Sequence, residues 1–236
     1  MSLLLNNKRR KTQQASSDPY WNNVVLFLKG DGTNGSTNIV DSSPTPKTIS
    51  VFGNTQISTA QSKYGGSSLL FDGIGDYLSA DSASFSAGTG DFCYEGWVRT
   101  NATNAYMAFM TRSPWASTNG FLFTNNSAIG DGKPQIWWNG YGGALLFTSS
   151  ASVNDNNWHH IAFSRSSGTC RLFVDGILVV TPVTSNINVP SGIINIGNDL
   201  DFSNRGFTGY IDSYRVTIGV ARYTSNFNPE TDTYLS

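Results

Sequence analysis

From Asp18 onward, short apolar stretches follow one another, and clusters of Gly, Asn, Asp and Ser separate them. Stretches that alternate apolar and polar residues between such turn signals predict β-strands. In order they are VVLFLK (24–29), TISVFG (48–53), SSLLFD (67–72), DYLSA (76–80), DFCYEGWVRT (91–100), AYMAFMT (105–111) and GFLFTN (120–125). PQIWWNG (134–140), ALLFTSS (144–150), HHIAFSR (159–165), TCRLFVD (169–175), ILVVTP (177–182), IINIGN (193–198) and GFTGYIDSYRVT (206–217) complete the series. Asp175-Gly176 falls between two runs and predicts a hairpin with a primed turn. Ser166-Ser167-Gly168 closes another. No helix-period stretch has useful length; GVARYT (219–224) predicts a single helical turn. About fourteen strands without helices predict an all-β fold of two antiparallel sheets packed face to face.

The alternation also assigns faces. In DFCYEGWV, Phe92, Tyr94, Gly96 and Val98 share one face, while Cys93, Glu95 and Trp97 share the other. Both faces are apolar or bulky, so this strand belongs at the centre of a sheet. In GYIDSYRV, strict alternation sets Tyr210, Asp212, Tyr214 and Val216 against Ile211, Ser213 and Arg215.

Residues 1–17, MSLLLNNKRRKTQQASS, lie outside the pattern and read as an extended arm ahead of a sandwich spanning 18–236. Charge separates the two parts. Four of the 15 basic residues and none of the 16 acidic ones lie in the arm. Eleven basic and sixteen acidic side chains remain, so the body carries −5. An acidic body argues against nucleic acid as its partner. The leucines precede the positive charges and number only three, the reverse of a signal peptide. No apolar run approaches a membrane span. Leu3, Leu4 and Leu5, followed by Lys8, Arg9, Arg10 and Lys11, suit a segment that orders against a partner by burial and charge pairing. A passive solubilising tail is the alternative. Only 13 % of residues are charged and 13 % are aromatic, the mix expected of a turn-rich β domain. Cys93 and Cys170 lie in strand-like segments and read as buried thiols, with a single disulfide left open.

Four segments in this order carry a family resemblance: SKYGGSSLLFDGIGDYLS (62–79), DFCYEGWVRT (91–100), NNWHHIAFSRSSGTCRLFVDGILV (156–179) and GFTGYIDSYRVTIGVARYTSNFNPE (206–230). Together they resemble the concanavalin A-like jelly roll of the laminin-G-like type. The ending GVARYTSNFNPE is similar to versions found in virion and tail proteins of bacterial viruses, notably those of marine and cyanobacterial hosts.

The resemblance brings three kinds of chemistry into view. The glucanase branch uses paired carboxylates on one strand, about 5–5.5 Å apart in retaining enzymes. Here Glu95 and Glu230 are the only glutamates, and no Glu-x-Asp-x-x-Glu or Glu-x-Asp-x-Glu segment exists. This argues against an enzyme. His159 and His160 are adjacent, so on a strand they point to opposite faces and do not share a metal. The laminin-G-like type often carries one calcium. Asp31 and Asp41 in GDGTNGSTNIVDSS, with Asp212 on the C-terminal strand, are the candidate ligands, set against solvated turns because no loop has dense acidic spacing. No other cofactor is implied. For sugars, Trp115, Trp137, Trp138 and Tyr141 are the candidate platforms. Neighbours on a strand, Trp137 and Trp138 face opposite ways.

The resemblance therefore implies a non-enzymatic virion structural protein, assembled in the cytoplasm of an infected bacterium. Its arm joins other capsid or tail proteins, and its sandwich displays a face for host polysaccharide. Symmetric self-assembly also fits such subunits. A lectin-like adhesion module, free-standing or surface-displayed, is the alternative.

Overall fold

The computed structural model describes residues 18–104, 106–112, 121–124, 129–138, 145–199 and 205–229. The arm residues Leu3, Leu4, Leu5, Lys8, Arg9, Arg10 and Lys11 lie outside the described residues, as do Trp115 and Tyr141.

The described strands are β1 Val24–Leu28, β2 Ser50–Phe52, β3 Gln56–Ser58, β4 Ser68–Asp72, β5 Tyr77–Ser82, β6 Phe92–Arg99, β7 Ala108–Arg112 and β8 Phe121–Thr124. They continue with β9 Gln135–Trp138, β10 Leu145–Thr148, β11 Trp158–Ser166, β12 Thr169–Val174, β13 Ile177–Leu178, β14 Val183–Thr184, β15 Gly192–Ile196 and β16 Thr208–Ile218. Every apolar run predicted as a strand contains one. β3 and β14 are additional; each is too short to register as a period.

The strands form two antiparallel sheets. The larger runs β13-β12-β11-β6-β16-β4-β3, with β1 also on β16 and β14 also on β12. The smaller runs β10-β9-β8-β7-β15-β5-β2. This is a jelly-roll sandwich. Its core is the inward face of each sheet. Phe92, Tyr94, Val98, Phe163, Leu172 and Tyr214 come from the larger sheet, and Leu78, Met110, Phe123, Ile136 and Ile194 from the smaller. Each such side chain contributes about 1.5–3 kcal/mol by leaving water. β6 lies between β11 and β16, at the centre, as its two apolar faces require.

The Asp175-Gly176 turn has the positive φ at both residues (50° and 75°) that a primed hairpin turn needs. Ser167 and Gly168 do the same between β11 and β12.

Two expectations change. Residues 219–224 form no helical turn. They run as bends across the outer face of the larger sheet, where Tyr223 packs on Cys93, Ala162 and Phe173. Tyr223 and Phe227 stack there at 3.5 Å, close to parallel. The face assignment of β16 changes as well. The register slips between Asp212 and Arg215, and Ser213 takes φ 50°. This bulge reverses the phase of the strand. Ile211, Tyr214 and Val216 point into the core, while Asp212 and Arg215 share the outer face with Trp97 and Glu95. Asp212 and Tyr214 are therefore on opposite faces.

Cys93 and Cys170 are free and buried. Cys170 belongs to the central core and Cys93 to the outer cluster, so the larger sheet lies between them. Burial drives the Cys93 thiol well up and raises Cys170 to about 11.

Candidate functional site

The outer face of the smaller sheet carries the sugar-site candidates that are described. Ile136 points inward, so Trp138, two residues on, also points inward, and it is 8 % exposed in the core. Trp137 points outward and is partly exposed. Its indole Nε1–H donates to Gln135 Oε1 at 3.1 Å, which fixes the ring. Tyr106 meets the Trp137 ring edge-on at 6.2 Å. Tyr106 itself sits at φ 56°, a conformation costing a bulky residue about 1–3 kcal/mol. The Arg205 guanidinium lies 4.9 Å from the Tyr106 ring centre and pairs with Asp199 at 3.0 Å.

The register extends this face across the sheet. Trp137 pairs with position 122, 122 with Thr111, Thr111 with Asn195, and Asn195 with Ser79. Three inter-strand steps, about 14 Å, separate Trp137 from Asn195. Thr111 Oγ1 donates to the Asn198 carbonyl at 3.0 Å. Asn195 is buried, and neither its amide nitrogen nor its amide oxygen has a hydrogen-bond partner. The Asn198 amide oxygen likewise has none. Leaving such groups unpaired costs about 1–3 kcal/mol each. The pattern assigned one of the two tryptophans outward; Asn195 and Asn198 carried no signal because β15 reads as an ordinary buried strand.

The calcium candidates separate. Asp41 Oδ1 accepts the Phe27 and Ser43 amides, both at 2.9 Å, while its Oδ2 accepts Ser43 Oγ and the Lys47 amide. It is occupied in organising its own loop. Asp212 lies on the outer face of the larger sheet. Its Oδ2 accepts the Lys63 and Tyr64 amides at 2.8 and 3.1 Å, and its Oδ1 accepts Ser213 Oγ at 3.0 Å. Burial raises its carboxyl to about 6 against those hydrogen bonds, and the Asp31 charge adds to the rise. The Gly65 backbone closes against the Asp31 carboxylate. Asp31 also lines an open cleft of about 120 Å³ with Lys29, Ser42, Ile39, Val40 and Ile57. Asp31 and Asp212 are thus the two candidates close enough for one charge to act on the other. Asp41 does not join them, and among the described residues no three His, Cys, Asp or Glu side chains gather into a metal group.

A buried ion cluster on the same face was not legible in the sequence. Arg215 Nε donates to Glu95 Oε1 at 2.9 Å, and Tyr223 Oη donates to Glu95 Oε2 at 2.7 Å. Arg215 Nη1 and Arg222 Nη1 donate to the two oxygens of Asp18 at 3.1 and 2.9 Å. His160 Nε2 lies 3.2 Å from Glu95 Oε2. Burial pushes the Glu95 carboxyl up, but Arg215, with His160 and Arg222, holds it far below the usual range. His159, facing away, bridges Asp175 and Asp155 at 2.8 and 2.9 Å.

A family model described as the concanavalin A-like lectin/glucanases superfamily (laminin G type) matches residues 72–219. No curated protein matches the sequence. Among solved structures, the binding domain of Paraclostridial mosquitocidal protein 1 superposes with a TM-score of 0.63 at 16 % identity, over 92 % of this chain and 52 % of that one. Domain 4 of AbnA, a GH43 extracellular arabinanase from Geobacillus stearothermophilus in complex with arabinotriose, gives 0.63 at 17 % identity, over 90 % and 97 %. The botulinum neurotoxin serotype D ligand-binding domain in complex with N-acetylneuraminic acid gives 0.61 at 15 %, over 91 % and 50 %. The chain thus spans about half of the toxin domains and nearly all of the arabinanase domain. These likenesses establish the shared fold. With 72–219 matched, the chain belongs to the concanavalin A-like lectin/glucanase superfamily.

Proposed function

We propose that this domain is a non-catalytic, glycan-binding module that uses the outer face of its smaller sheet. The observation that carries this reading is Trp137, held by Gln135, set against Tyr106 and left partly open to solvent on a polar sheet face. An aromatic ring fixed in this way stacks on the apolar face of a sugar while neighbouring amides take its hydroxyls. Arabinotriose in the arabinanase domain and N-acetylneuraminic acid in the neurotoxin domain support a sugar as the ligand class. Glu95 supports the absence of catalysis. It is sealed beneath the C-terminal segment and held ionised by arginines, so it neither reaches a substrate nor donates a proton. Asp31 and Asp212 are the residues to which this reading assigns a calcium ion.

We infer further that the module is displayed on a bacteriophage particle, with residues 1–17 attaching it to capsid or tail proteins. The resemblance of GVARYTSNFNPE to phage virion proteins supports this. So does the path of the chain: Asp18 enters on the outer face of the larger sheet, opposite the face that bears Trp137. Attachment and display then do not compete for one surface. A glycan array probed with the full chain and with Trp137→Ala tests the binding role. Hits that the variant loses support it, and an empty array for the wild type refutes it. Deleting residues 1–17 should give a folded domain that no longer joins particles; unchanged occupancy refutes the anchoring role.

A further inference from the structure

A second aromatic surface lies at the opposite margin of the same sheet. β2 is the last strand there, and Phe52 pairs directly with Tyr77 of β5. Val51 and Leu78 pack into the core, so Phe52 and Tyr77 point outward. Their rings stack 4.2 Å apart and 6° from parallel. Among the described residues no strand lies on the other flank of Phe52, and the residue is 40 % exposed.

The surroundings are braced. The turn after β2 and the turn between β4 and β5 abut: a Cβ on Gly53 would lie 2.7 Å from the Gly75 carbonyl oxygen. Asp76, buried between them, accepts the Asn54 amide through Oδ1 and the Asp72 amide through Oδ2. Exposed Asp72 accepts the Ile74 amide at 2.7 Å and Asn54 Nδ2 at 3.2 Å. Ile74, in the same turn, is 81 % exposed. A rigid, open aromatic face thus adjoins an exposed amide and carboxylate. Residues 50–56 and 72–77 contain Asp72 and Asp76 and no Lys or Arg.

We propose that Phe52, stacked on Tyr77 and flanked by Asn54, Asp72 and Ile74, is a second saccharide platform that takes neutral sugars and repels acidic ones. This rests on the glycan-binding reading and adds to it a site and a charge class. The ring face takes the C–H face of a pyranose or furanose, and Asn54 and Asp72 take adjacent hydroxyls. The negative local field, with no cation in either turn, disfavours sialic and uronic acids.

The test is amide chemical-shift mapping on the full chain with arabinotriose, cellotriose and mannotriose, and with 3′-sialyllactose as the acidic probe. At least one neutral trisaccharide is expected to move the amides of Phe52, Asn54, Ile74 and Tyr77, while sialyllactose leaves them in place. Phe52→Ala, an exposed substitution that keeps the fold, is expected to weaken that binding about tenfold. Trp137→Ala should leave it within about twofold. The platform is overturned if Phe52→Ala binds as the wild type does, if sialyllactose moves the same amides as strongly, or if Phe52→Ala abolishes a dimer instead of saccharide binding. Loss of binding in Trp137→Ala alone overturns the platform and leaves the first site standing. No binding of any saccharide overturns both.

Discussion

Arg215 Nη1 donates to Asp18 Oδ2 at 3.1 Å, joining residues 197 positions apart in a fully buried contact. Asp18 also holds Arg222, so the first turn of the sandwich is fastened to β16 and to the segment that follows it. Breaking a buried pair by removing one partner costs about 3–5 kcal/mol, because the other charge is left unpaired. Asp18→Ala should therefore lower the melting temperature by roughly 10 °C, at about 2–4 °C per kcal/mol for a chain of this size. Deleting residues 1–17 should leave it unchanged, while deletion through Asp18 should match the point variant. Thermal unfolding of the three proteins checks this.

The contrast between strands and cluster shows what a linear pattern holds. Period-2 runs located the strands, and Asp175-Gly176 located its hairpin, because both are local. The bulge at Ser213 was not legible, since a serine at positive φ has no compositional mark; strict alternation therefore grouped Asp212 with Tyr214 instead of with Arg215. Glu95, Arg215 and Asp18 come together only through the sheet order, at separations of 120 and 197 residues. Alternation split Trp137 from Trp138, but only the placement of Ile136 in the core decided which one faces out.

Asp212 sets a pH dependence whose sign follows from its burial. Its carboxyl lies at about 6 in the folded protein against 3.8 in the unfolded chain. Its contribution is present below 3.8 and is lost as the pH rises through 6, a difference of about 3 kcal/mol. Asp212→Asn should flatten the stability profile between pH 4 and 7 (about 3 kcal/mol at its upper end). If Asp31 and Asp212 hold calcium, adding the ion at neutral pH should raise the melting temperature of the wild type and leave that of Asp212→Asn unchanged. Calorimetry with and without calcium reads both effects.

His159 gives a second pH experiment of the same sign. Its hydrogen bonds to Asp175 and then Asp155 raise its pKa above 6.5 against partial burial, while Asn157 first and then His159 draw Asp155 down to about 2. Stability from this bridge is fully present below 6.5 and fades as the pH rises through the higher folded value. His159→Gln should remove that decline. Proton NMR titration of the imidazole should give a pKa above that of a free histidine, and Asp175→Asn should bring it back down.

The account turns on Trp137 as the ring that meets a sugar. In a titration with an array-identified glycan, followed through the indole N–H signals, the Trp137 signal is predicted to move with saturation while Trp97, on the outer face of the larger sheet, stays in place. Movement of Trp97 with Trp137 unmoved would contradict it.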